Sequence, residues 1–74
     1  MAQTTTALDF KIHEMARRIR ELREIENLSI AEMASKTDVS EAEYAACEAG
    51  QRDLNFAFIY RCALAFNVDV TDII

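Results

Sequence analysis

The sequence predicts an all-α domain of four to five short helices around one small core, and three observations lead to this prediction. The 74 residues include no proline and only one glycine, which disfavours hairpins and favours helices joined by polar turns. Half of the residues are apolar (51%), so a chain of this length can form a packed core. Apolar residues recur at helical spacing, and Ser-x-x-Glu segments mark helix starts.

A polar, threonine-rich lead at residues 1–7 is expected to be flexible, and residues 8–74 are predicted to form one domain. The first helix is predicted to begin at about Leu8 or Asp9 and to end at Asn27. One apolar stripe at spacings of three and four indicates its inward side. The stripe is Ile12, Met15, Ile19, Leu22 and Ile25, while Arg17, Arg18, Glu21 and Glu24 are predicted to face water.

Two short helices follow, and each is opened by a serine with a glutamate three residues later. In such a capping box the serine hydroxyl accepts a hydrogen bond from a free backbone N–H group, and the glutamate accepts one from the serine N–H group. The two pairs are Ser29 with Glu32 and Ser40 with Glu43. A turn at residues 36–39, formed by Asp38, and a stop at Gly50 complete a helix-turn-helix outline.

The second helix, at about residues 30–36, is predicted to place Met33 and Ala34 inward, with Val39 filling the gap to the third helix. The inward residues of the third helix, at about residues 41–49, are predicted to be Tyr44 and Cys47. A fourth helix at about residues 56–66 is predicted to start at the Asn55 cap, to stop at Asn67, and to bury Ile59, Cys62, Ala63 and Phe66. Asp69 is expected to cap a last short helix at residues 71–74.

Four further apolar residues, Ile30, Phe56, Phe58 and Leu64, are in excess of this core. They form either an exposed surface for a partner or, for one of the two phenylalanines, part of the core. Cys47 and Cys62 are predicted to be buried and reduced rather than bonded. His13 is far from them in sequence and is predicted to be a plain surface residue.

The sequence also excludes several function classes. No nucleophile–base pair, phosphate-cradling glycine loop or metal-ligand cluster is recognisable, so we expect neither an enzyme nor a cofactor. No apolar run approaches the roughly 18 residues of a membrane span, and the start has no signal-peptide pattern, so a cytoplasmic protein is expected. The net charge is −5, opposite in sign to that of most nucleic-acid binders. Residues 1–23 carry a net charge of +2 and residues 24–74 a net charge of −7.

The chain resembles a lambda-repressor-like helix-turn-helix domain of the XRE (Cro) type over about residues 12–74. The resemblance rests on RRIRELREIENLS, on IAEMASKTDVS, on Tyr44, Cys47, Glu48 and Gly50, and on FIYRCALAFNVDVTDII. It implies an ion pair between Arg23 and Glu48. It also implies a homodimer that binds double-stranded DNA with the third helix in the major groove. The domain would be the N-terminal part of a longer chain, in which such domains often precede a small-molecule sensor.

Carried over by position, the candidate DNA-binding residues differ from those usual in the family. The first residue of the second helix is Ile30, whose side chain cannot donate to a phosphate, and no Arg, Asn or Gln occupies a base-facing position. Glu41 could accept from cytosine, Ala42 or Ala46 could touch a thymine methyl group, and Lys36 and Arg52 could bind phosphate, with Arg17 or Arg18 as weaker candidates. The full candidate set is Ile30, Lys36, Ser40, Glu41, Ala42, Glu43, Ala46 and Arg52.

Two carboxylates at the start of the third helix would repel phosphate, and both have a purely structural explanation. Glu43 is expected to act as the capping partner of Ser40, and Glu41 suits the positive end of a helix. An alternative function therefore stays open, in which the fold is kept as a protein-interaction or dimerisation module with little affinity for DNA.

Overall fold

The computed structural model describes residues 6–74, and this part of the chain is all-α, as predicted. Its elements are α1 (Ala7–Ile25), α2 (Ile30–Thr37), α3 (Glu41–Glu48), α4 (Phe56–Phe66) and one 3₁₀ turn, Val70–Asp72. The expected flexible lead lies outside the described residues, apart from Thr6 and Ala7. Those two residues belong to the domain, because Thr6 caps α1 and Ala7 is its first residue.

The helix α1 starts at a capping box that the sequence prediction missed. The Thr6 hydroxyl accepts from the Asp9 N–H group at 3.0 Å, and the Asp9 carboxylate accepts from the Thr6 N–H group at 3.5 Å. Ile12, Met15 and Ile19 are buried as predicted, and Leu22 is half-buried. The stripe is wrong at its end, because Ile25 is 73% exposed. Ile25 is the last residue of α1, and the left-handed Asn27 (φ 57°) turns the chain immediately after it.

Two other α1 residues differ from the prediction. Ala16 is 2% exposed and belongs to the core, although it lies beside the predicted stripe. Arg18 was expected to face water, but it is half-buried and its Nη1 donates to the Ile73 carbonyl at 3.2 Å. This contact joins α1 to the end of the chain, so it depends on the packing of residues distant in sequence.

The turn between α2 and α3 has the predicted form. Asp38 ends α2 in the left-handed conformation (φ 61°), and Val39 is half-buried against the core. The Ser29–Glu32 capping box is complete, with bonds of 3.0 and 2.8 Å, and its backbone bond lowers the pKa of Glu32. The box at α3 is only half present, because Ser40 accepts from the Glu43 N–H group at 3.1 Å but the Glu43 carboxylate is directed elsewhere.

The fourth helix follows its prediction closely. Asn55 Oδ1 accepts from the Phe58 N–H group at 2.8 Å, and Asn67 ends α4 in the left-handed conformation (φ 58°). Beyond α4 the prediction is only partly right, since the chain forms a 3₁₀ turn at Val70–Asp72 rather than a helix at residues 71–74. The Asp69 N–H group donates to the Asp72 carboxylate at 3.0 Å and starts this turn.

The core lies between all four helices and the C-terminal turn. Ile19, Met33, Tyr44, Cys62 and Ile73 are among its fully buried side chains. Thr37 is also fully buried, and its hydroxyl donates to the Met33 carbonyl at 2.7 Å. All the inward residues predicted for α2, α3 and α4 are buried: Met33, Ala34, Tyr44, Cys47, Ile59, Cys62, Ala63 and Phe66.

The two phenylalanines at the start of α4 have different environments. Phe58 is 6% exposed and packs with Tyr44, at 5.9 Å between ring centroids, whereas Phe56 is 66% exposed. Both cysteines are buried thiols, as predicted. Burial raises the pKa of the Cys62 thiol to about 12 and that of the Cys47 thiol in the same direction, so both favour the protonated form. Within residues 6–74, no helix combines the length and apolar character needed to cross a membrane.

Candidate nucleic-acid interface

An ion pair between α1 and α3 fixes the position of the third helix. Arg23 Nε donates to Glu48 Oε2 at 2.8 Å, and Nη2 donates to Oε1 at 3.0 Å. The side chains are only 15% and 8% exposed. Because the guanidinium and carboxylate groups meet in this two-bond geometry, the pair sets both the distance and the orientation of the two helices. The pair that the family resemblance implied is therefore present.

The ion pair also orients two neighbouring groups. Arg23 Nη1 donates to the Leu28 carbonyl at 3.0 Å, which ties the segment that enters α2, and the Tyr44 hydroxyl donates to Glu48 Oε2 at 2.8 Å. The bond to Glu48 raises the pKa of Arg23 despite partial desolvation. Burial, together with the bond to Glu48, raises the pKa of Tyr44, so its hydroxyl stays a donor. The Arg23–Glu48 pair thus holds α1, α3 and the segment that enters α2 together.

The first turn of α3 lies on the surface. Glu41 and Ala42 are exposed, whereas Ala45 and Ala46 are half-buried. The Ser40 side chain is exposed, although its hydroxyl already accepts the capping bond from the Glu43 N–H group. The residues of α3 that a partner molecule could contact are therefore small or acidic, as the sequence indicated.

An ion pair not anticipated from the sequence joins α3 to the loop that follows it. Arg52 Nη2 lies 3.4 Å from Glu43 Oε1, and the side chains are 53% and 42% exposed. Glu43 therefore pairs with Arg52 instead of closing the capping box with Ser40. The expectation that Glu43 acts as a full capping partner is wrong in this respect.

The other candidate residues are spread around this face. Lys36 is exposed in the last turn of α2, where a phosphate could reach it. Ile30 is half-buried against the core, which explains why an apolar residue occupies the first position of α2. Of the weaker phosphate candidates, Arg17 pairs with Glu21 at 3.2 Å, and Arg18 is occupied by Glu14 and the Ile73 carbonyl.

The outer side of α4 carries a further feature, an apolar stripe formed by Phe56, Tyr60 and Leu64. These residues are 66%, 48% and 63% exposed and repeat every four positions, so they lie along one helix face. The Phe56 and Tyr60 rings stack at 6.0 Å between centroids. Of the excess apolar residues in the sequence, Phe56 and Leu64 are thus exposed, while Phe58 and Ile30 pack against or within the core.

Two short helices that pack against each other and are joined by a three-residue turn define a helix-turn-helix protein. The sequence profile of the helix-turn-helix domain family matches residues 16–74, and the chain belongs to this family. A comparison with curated protein sequences gave no significant match.

Two solved structures have a similar fold. The crystal structure of the restriction-modification controller protein C.AhdI from Aeromonas hydrophila has a TM-score of 0.82 and 23% identity, covering 88% of this chain and 98% of that one. The crystal structure of the clp gene regulator ClgR from Corynebacterium glutamicum also has a TM-score of 0.82, with 17% identity, covering 95% of this chain and 71% of that one. At these identities the similarity establishes a common fold.

Proposed function

We propose that this chain is the DNA-binding domain of an XRE-type transcriptional regulator that presents α3 to the major groove. The observation that carries the proposal is that α3 is fixed on one side and exposed on the other. The Arg23–Glu48 pair fixes the C-terminal end of α3 to α1, while the first turn of α3, at Glu41 and Ala42, is exposed. A short helix held rigidly with its first turn exposed is the arrangement by which such proteins reach base edges.

Five of the eight candidate residues have a definite role in this proposal. Arg52 and Lys36 bind phosphate on either side of α3, and Ser40 maintains the start of that helix. Glu41 accepts from a cytosine amino group, and Ala42 touches a thymine methyl group. None of these contacts is the two-bond Arg–guanine or Asn–adenine kind, so affinity depends mainly on the two cations and base discrimination is modest.

The proposal predicts DNA binding that is weak and sensitive to salt. Binding of a mixed-sequence duplex is measured by fluorescence anisotropy from about 50 to 200 mM salt, where each phosphate contact contributes a slope of about −0.9 in log K against log salt. Arg52→Ala should weaken binding to all sequences alike and reduce the magnitude of that slope by about one. Arg61→Ala, at an exposed position of α4, is the matched control and should leave both quantities unchanged.

A slope that Arg52→Ala leaves unchanged would exclude the phosphate role of this residue. Absence of wild-type binding at about 50 mM salt would exclude the proposed function itself. That result would favour the second candidate, a helix-turn-helix module that binds protein rather than DNA. The specific observation in favour of this alternative is the pairing of Arg52 with Glu43, since a phosphate must compete with that carboxylate.

The proposed regulator acts as a homodimer in the cytoplasm, and a C-terminal sensor domain is the expected companion in a longer chain. Two-fold DNA sites require two copies of α3 at a fixed separation, which a dimer supplies. The stripe formed by Phe56, Tyr60 and Leu64 is the surface best suited to pairing, because a two-fold axis through Tyr60 would place Phe56 of one copy against Leu64 of the other.

Placing a charge in the centre of the stripe should prevent this pairing. Tyr60→Glu is expected to yield a monomer over protein concentrations at which the wild type dimerises, because an unpaired carboxylate would be buried at the contact. Sedimentation velocity over a concentration series measures the change. Ser35→Glu adds the same charge at an exposed position of α2 and should dimerise like the wild type. If Tyr60→Glu dimerises equally well, the interface lies elsewhere.

A further inference from the structure

A groove beside the buried stripe of α1 has no role in the function proposed above. It has a volume of about 440 Å³ and lies between α1 and the end of α3. On α1 it is lined by Phe10, His13, Arg17 and Arg20, which extend over ten residue steps, or about 15 Å of helix. Ala49, next to the end of α3, lies on its other side. The volume is in the range of small-molecule sites.

The end of the groove formed by Phe10 and His13, called the outer end, lies in the N-terminal part of α1. The family match starts at residue 16, whereas α1 starts at Ala7, so Phe10 and His13 lie in a segment outside the match. This segment is nevertheless anchored. Ile12 and Met15 are 7% exposed, and the Lys11 ammonium donates to the Ile74 carbonyl. The wall that carries Phe10 and His13 is therefore a fixed part of the domain.

The position of His13 depends on the single glycine of the chain. His13 Nδ1 lies 2.8 Å from the Asp9 carbonyl oxygen, and the imidazole ring lies directly over Gly50. A Cβ atom at residue 50 would be 2.8 Å from the ring, so a larger residue would displace it. Gly50 thus has two roles, ending α3 with a positive φ of 76° and leaving room for one wall of the groove.

The two ends of the groove differ in chemical character. At the outer end the Phe10 ring is 64% exposed and lies next to the His13 imidazole, which gives an aromatic surface. The other end, called the inner end, is formed by the guanidinium groups of Arg17 and Arg20. Arg17 uses Nη1 for one bond to Glu21 at 3.2 Å, and Arg20 uses Nε for one bond to Glu24 at 3.3 Å. Both pairs are more than half exposed, so these bonds are weak and the remaining N–H groups are available to a ligand.

The carboxylates that also line the groove are already neutralised. Glu48 is held by Arg23 and by the Tyr44 hydroxyl, while Glu14 pairs with Lys11 at 3.4 Å and with Arg18 at 3.5 Å. Both oxygen atoms of each carboxylate are therefore engaged, whereas Arg17 and Arg20 each keep N–H groups that a ligand can bind. The free N–H donors of the two arginines favour an anion. The aromatic end of the groove favours an apolar group attached to that anion.

We infer that this groove binds a small organic anion with an aromatic or aliphatic body. Its carboxylate group accepts from the free N–H groups of Arg17 and Arg20, and its body packs against Phe10 and Ala49. Two guanidinium donors on successive turns of one helix suit a single carboxylate, whose two oxygen atoms accept from both. The bound molecule would touch Glu48, so it would lie against the ion pair that positions α3.

The test is an NMR titration of the ¹⁵N-labelled domain with 4-phenylbutyrate, using its neutral amide as the matched control ligand. We expect saturable binding below about 10 mM, with the largest amide shifts in residues 10–20 and 48–50. The amide should bind at least about tenfold more weakly, because it lacks the charge-assisted bonds. The double variant Arg17→Gln and Arg20→Gln should lose binding to the same extent, whereas Arg61→Gln should bind like the wild type.

Both groove arginines are exposed, so the double variant should keep the wild-type melting temperature. The variant Phe10→Ala provides a second test at the other end of the groove. Phe10→Ala should weaken the binding of 4-phenylbutyrate more than that of acetate, which has no apolar group large enough to pack against Phe10. Linear, non-saturating shifts would overturn the inference, as would equal binding of the neutral amide. Shifts centred on the apolar stripe of α4 would also overturn it. None of these readouts involves DNA, so their outcome is independent of the proposed function.

Discussion

Glu48→Ala is expected to lower the free energy of unfolding by about 3 kcal/mol, because it removes one partner of a nearly buried ion pair and leaves the other charged. Arg23 would retain its bond to the Leu28 carbonyl but lose both bonds to the carboxylate. The Tyr44 hydroxyl would lose its acceptor at the same time, in a ring that is fully buried.

Thermal unfolding measures this effect directly. For a domain of this size, about 3 kcal/mol corresponds to a decrease of roughly 12–24 °C in melting temperature. Glu21→Ala is the matched control, because Glu21 also pairs with an α1 arginine but is 53% exposed. Exposed pairs of this kind contribute less than about 1 kcal/mol. The control variant should therefore melt within a few degrees of the wild type.

A double variant separates the cost of an unpaired charge from the loss of attraction. Replacing Arg23 by Met and Glu48 by Leu removes both charges and retains most of the side-chain volume. Buried ion pairs are often replaceable by apolar residues at little net cost, so the double variant should be more stable than Glu48→Ala. If Glu48→Ala melted like the wild type, the ion pair would not determine the position of α3. The proposed function, which depends on a fixed position of α3, would then lose its main support.

The boundaries of α2 and α4 could be predicted from the sequence because their determinants are local. Ser29 with Glu32, Asn55 with Phe58, and the left-handed Asn67 each act within three or four residues, so the sequence alone places them together. Apolar periodicity identified the inward residues of α2, α3 and α4 for the same reason. The Arg23–Glu48 pair spans 25 positions, and only the family resemblance predicted it.

What the sequence did not reveal depends on how the helices pack. Phe56 and Phe58 are both apolar and both lie in the first turn of α4, so only the orientation of that helix on the core decides which is buried. The Glu43–Arg52 pair required knowledge of where the loop after Gly50 returns. Phe10 and His13 lie on a helix face that looks like ordinary solvent-exposed surface in sequence, and it forms a groove only because Ala49 lies opposite.

Glu41→Lys should raise the affinity of the domain for duplex DNA by roughly 30-fold at low salt, which is the largest functional effect we predict. Glu41 is exposed in the first turn of α3, where the proposed complex would bring it close to phosphates. A charge pair at about 4 Å in water is worth about 1 kcal/mol, so replacing repulsion by attraction changes the binding free energy by about 2 kcal/mol. The gain should fade as salt rises, because the interaction is exposed.

The matched control is Glu21→Lys, which makes the same change of net charge on α1. It separates a local contact at α3 from the general effect of a less acidic protein. A lysine at the start of a helix is unfavourable by about 0.3–1 kcal/mol, so melting temperatures of both variants are measured beside the anisotropy titrations. If α3 enters the major groove, Glu41→Lys gains far more affinity than Glu21→Lys. Equal gains would mean that DNA does not approach α3, and the interaction-module alternative would then be the better account of this fold.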